Sequence, residues 1–76
     1  MNDLEQAEVR VELAQLNLDI ERLQNLVRSM SVRLPYIPAA SKARYRRQLA
    51  DSQQRLADAI ENKKELINQL EKHQDE

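Results

Sequence analysis

The sequence has no glycine, no cysteine, no phenylalanine and no tryptophan. Glycine is the usual residue of tight turns, so a chain with none reads as helical rather than strand-rich. Without cysteine there is no disulfide staple, and the lone histidine, His73, cannot build a nitrogen-rich metal site by itself. A glycine-rich phosphate loop is excluded. Apolar runs fall far short of the roughly 18 residues that a membrane span needs. The start, Met-Asn-Asp-Leu-Glu-Gln, has neither the basic nor the apolar stretch of a secretory signal. The expectation is a soluble, cytoplasmic chain with no membrane partner, no cofactor and no metal.

What is present is 76 residues in which Ala, Glu, Leu, Gln and Arg favour helix. That length makes one domain with a thin core. Chains this small usually gain stability from a disulfide, a metal or a second subunit. With the first two excluded, self-association or a partner is the expected source of further burial.

A first helix is expected over about 3–34. Asn2 with Glu5, or Asp3 with Gln6, has capping-box spacing. Val9, Leu13, Leu16, Ile20, Leu23, Val27, Met30 and Leu34 then step by four and three, which is a heptad seam. A second row, Leu4, Ala7, Val11, Ala14 and Leu18, runs on the opposite side. A hairpin needs one seam, so Leu4, Val11 and Leu18 are the expected self-association face.

Leu34-Pro35-Tyr36-Ile37-Pro38 breaks the helix, because proline lacks the amide hydrogen and moves the preceding residue out of the α region. Pro38 suits an early position of a second helix over about 38–73, with Ser41 as another cap candidate. That helix carries Tyr45, Leu49, Leu56, Ala59, Ile60, Leu66, Ile67 and Leu70 on one face. Folding about residues 35–38 pairs positions whose numbers add to roughly 73, so that Leu23 meets Leu49 and Leu16 meets Leu56, in helices roughly 50 Å long. Lys63 interrupts this seam near Glu5, Glu8 or Glu12 and reads as a lysine with its stem buried and its amine in water, the alternative being a polar residue that fixes the register. The fold class is all-α: an antiparallel, coiled-coil-like two-helix hairpin in a single domain, dimerising into a four-helix bundle.

Charge is segregated. Residues 1–27 carry six acids against Arg10 and Arg22; residues 28–47 carry Arg28, Arg33, Lys42, Arg44, Arg46 and Arg47 and no acid; residues 48–76 carry seven acids against four bases. The hairpin is therefore a rod with a basic tip. Tyr36, Arg33, Lys42, Arg44, Arg46 and Arg47 form a candidate partner-binding tip. Tyr36 suits either a plug over the helix ends or an exposed anchor, since aromatic residues dominate interface hot spots. The Pro-x-x-Pro spacing at 35–38 would also suit an aromatic groove, but the corner explains the same prolines without a partner. The acidic arms would repel a nucleic-acid backbone laid along them, leaving only the tip for phosphates.

No catalytic residue is identified. Ser29, Ser31, Ser41 and Ser52 have no evident base, and the carboxylates spread along solvated faces. The corner from Pro35 to Pro38, with the overall length, resembles the subunits of type III secretion needles, which implies a filament subunit. The architecture is similar to small plasmid-encoded RNA-binding hairpins that dimerise into four-helix bundles. Such likeness of fold carries no functional residue across. The reading is a non-enzymatic protein–protein interaction module: an adaptor, chaperone-like factor, inhibitor or phage- or plasmid-encoded regulator, dimeric, with a protein partner. The alternatives are a nucleic-acid-binding regulator using the tip and a filament subunit.

Overall fold

Two helices and one tight turn account for the backbone of residues 2–74, which the computed structural model describes, with side chains described for residues 2–72. Helix α1 spans Asp3–Arg33, a 3-10 turn spans Leu34–Tyr36, and helix α2 spans Ala39–Gln74. The helices lie side by side as an antiparallel hairpin, a rod of 57 × 14 × 14 Å.

Asn2 starts α1. Its backbone is extended and its side-chain oxygen accepts a hydrogen bond from the Glu5 amide at 2.8 Å. This satisfies one of the orphan amides of the first turn. Of the two caps the spacing allows, the Asn2 pair is used, and Asp3 lies inside the first turn as a favourable charge beside the positive helix end.

The corner forms one step later than its first proline suggests. Leu34, which precedes Pro35, keeps helical angles, and Pro35 simply continues the chain through the 3-10 turn. The residue that leaves the helical region is Ile37, with φ −75° and ψ 133°, immediately before Pro38. The restriction that proline places on its predecessor therefore acts at Ile37. Pro38 stands just before α2 rather than within it, and its carbonyl accepts from the Ser41 amide at 2.9 Å. Ser41 is then a residue of the first turn, not the cap.

Every one of the sixteen expected seam residues is buried or half-buried. The most enclosed are Ile20 and Met30 of α1 and Leu49 and Leu66 of α2. Among the described residues no side chain is completely enclosed, so the core is a single thin layer.

The alignment of the helices differs from expectation. Ser52 Oγ lies 4.0 Å from Met30 Sδ, Leu16 lines one shallow groove with Asn62 and Leu66, and Leu23 lines another with Arg55 and Ala59; the facing numbers add to between 78 and 82, about 80. Leu23 therefore faces the turn 55–59 rather than Leu49, and Leu16 the turn 62–66 rather than Leu56. The cause is the corner. The 3-10 turn carries the chain onward along α1, and the extended Ile37 carries it further before α2 turns back. The heptad pattern tolerates the slide because both seams repeat. It also moves Lys63 level with the turn 16–19 of α1, away from Glu5 and Glu8. Lys63 is half-buried in the seam. Among the described residues the ion pairs are Arg55–Asp51 at 3.2 Å and Lys64–Glu61 at 4.0 Å, both exposed and within α2.

Candidate interaction surfaces

The outer side of α1 carries the apolar row. Leu4, Val11 and Leu18 are 68%, 57% and 49% exposed, and Leu4, Ala7 and Val11 with Glu8 and Glu12 line a shallow apolar hollow. Leu18 is two positions from both Leu16 and Ile20. At about 100° per residue it therefore points away from the seam that those two residues occupy. The hairpin leaves this row uncovered, as the two-stripe pattern requires.

Two exposed apolar residues of α1 were not singled out from the sequence. Val32 is 65% exposed and continues the outer row at seven-residue spacing through Asn25: 4, 11, 18, 25, 32. That spacing was the available signal, hidden by the polar Asn25. Leu26 is exposed beside Arg22, Arg55 and Ala59 at the flank of the groove between the helices. It belongs to neither apolar row, and nothing in the periodicity distinguishes it.

At the tip, Tyr36 is 86% exposed. A plug over the helix ends would be covered, so Tyr36 is an exposed side chain one turn beyond Val32. Arg33 closes α1, while Lys42, Arg44, Arg46 and Arg47 lie in the opening turns of α2. Lys42 and Arg46 share one side of α2 and Arg44 and Arg47 another, so the charges fan around the rod end rather than form one patch. The first turn of α2 holds no acid. A helix start is stabilised by acids and disfavoured by bases, so this arrangement sets local stability against positive charge.

Among the described residues, no three His, Cys, Asp or Glu side chains gather into a metal-sized group. The side chain of His73 lies outside the described residues. No described helix is long and apolar enough to cross a membrane. No family model, curated protein or solved structure matches the chain.

Proposed function

We propose that this chain is a non-enzymatic interaction module, which associates with a second copy through the outer face of α1 and presents its basic tip to an acidic surface on a target protein. The observation that carries the reading is the exposed row Leu4, Val11 and Leu18. A contiguous apolar face on a rod this thin is a liability unless another helix covers it. The single-layer core supports the same reading, because a second copy adds the burial that the hairpin lacks. Tyr36 and Val32 lie at the end of the rod that also carries Arg33 and the bases of α2, which suits an aromatic anchor with charge that steers the approach. Such a module acts as an adaptor, chaperone-like factor or inhibitor.

The test of association is sedimentation at micromolar concentration. A two-chain mass is expected for the wild type and a single-chain mass for Leu18→Glu, with helical content unchanged in circular dichroism. A folded, monomeric wild type would defeat the association. Mass growing past two chains with concentration would favour a tip-to-tail filament instead. For the tip, Tyr36→Ala and Arg44→Ser with Arg47→Ser should each abolish capture of the acidic target without changing the mass. Tight, steeply salt-dependent binding to RNA or DNA would transfer the tip to the nucleic-acid reading.

A further inference from the structure

We infer that the second copy lies antiparallel on α1, with facing residue numbers adding to about 31, so that the two hairpins stack back to back in a flat four-helix layer. This rests on the self-association proposed above and fixes its orientation.

The argument is charge complementarity along the exposed row. Asp3, Arg10, Glu21 and Arg28 step by seven and eleven, so they share one flank of the row, while Glu8 and Arg22 share the other. All six are exposed, and none enters either described ion pair. In antiparallel helices each flank faces the same flank of its partner. Sliding the copies until numbers add to about 31 brings Asp3 level with Arg28 of the second copy, Arg10 with Glu21, and Glu8 with Arg22; the acids Glu12 and Asp19 also come level, but both line the groove toward α2, further round from the contact. The two-fold axis repeats each pair. In the same alignment Leu18 faces Ala14, a large residue against a small one, and the axis passes beside Gln15.

Parallel helices fail the same comparison. Each flank would then face the opposite flank, with Asp3 approaching Glu8 and Arg28 approaching Arg33, and the acidic first half of α1 would lie on its own copy. Like charges so arranged disfavour pairing.

Two consequences follow from the geometry. The outer row lies half a turn from the seam, so the helices line up α2, α1, α1, α2 in one layer instead of closing a square bundle. The overlap covers residues 3–28, so Val32, Tyr36 and the bases of α2 stay outside it. The dimer carries its two tips at opposite ends, roughly 60 Å apart at 1.5 Å per residue.

Cysteine crosslinking tests the orientation, because the sequence has no cysteine of its own. Gln15→Cys should oxidise to a covalent dimer, whereas Leu4→Cys should not. Crosslinking of Leu4→Cys as complete as that of Gln15→Cys would overturn the arrangement in favour of a parallel pair. Charge reversal supplies a second readout. Glu8→Arg should raise the dimer dissociation constant by about tenfold, since the lost attraction occurs twice, and adding Arg22→Glu should restore it. Failure of the second change to rescue the first would also overturn the alignment. Sedimentation of the wild type separates the two levels: a dimer with the wrong crosslinks removes the orientation alone, and a monomer removes the association as well.

Discussion

Asn2 is the residue whose role is most local, since one side-chain oxygen caps α1 through the Glu5 amide. Asn2→Ala should destabilise the hairpin by about 1 kcal/mol, read as a lower urea midpoint with an unchanged slope. Ile20 acts through packing. It is among the most enclosed side chains in a core that has no fully enclosed one among the described residues. Truncating a buried Ile to Ala costs about 2–5 kcal/mol. Here the site opens to water on its flanks, so the lower end applies, about 2 kcal/mol. In a hairpin with so little burial that is enough to lose much of the circular dichroism signal at 37 °C. Lys63 is the opposite case. It occupies a seam position with its stem half-buried and joins neither described ion pair. Lys63→Met keeps the stem and removes the charged end, and should raise the thermal midpoint, with a gain of about 1 kcal/mol. A loss of similar size would show that Lys63 holds the alignment of the helices.

At the scale of the elements, the two helices and their buried faces were legible in the sequence because periodicity is a local signal. Val9 to Leu34 and Tyr45 to Leu70 required only that apolar residues recur every three to four positions. The alignment of one helix on the other was not legible. It depends on the angles of Leu34 and Ile37, and either proline of the corner had the chemistry to end a helix. Leu34 stays helical ahead of Pro35 and Ile37 turns out ahead of Pro38, which moves each contact along α1. Two repeating seams accept such a slide with little change in burial, so the pattern held no penalty that would have revealed it. The outer row Leu4, Val11 and Leu18 was legible for the same periodic reason, and its extension to Val32 was hidden by Asn25. The exposure of Tyr36 needed the three-dimensional corner. The opening of α2 is a local conflict between charge and helix stability, with bases where acids would stabilise it. Ala40→Glu should therefore raise stability by about 0.5 kcal/mol in urea denaturation while weakening capture of an acidic target.

For the whole molecule, the question is where a rod of 57 × 14 × 14 Å finds its stability. One layer of seam residues joins the helices, both described ion pairs are exposed pairs within α2, and such pairs contribute little. A second copy on the outer face of α1 would convert Leu4, Val11 and Leu18 from exposed to buried surface and couple folding to assembly. That coupling has a thermodynamic signature that a self-sufficient hairpin lacks, because the folded state is then favoured by mass action. The thermal midpoint of the wild type should rise by about 3–5 °C for each tenfold increase in protein concentration, as expected when one association step is shared between two small protomers. Leu18→Glu places a charge in the centre of the outer row and leaves the seam untouched. Its midpoint should be lower and independent of concentration. The two curves should diverge most at high concentration and converge on dilution, where the wild type also becomes monomeric. Equal, concentration-independent midpoints for both proteins would show that the hairpin is sufficient alone and that its outer face serves the target instead.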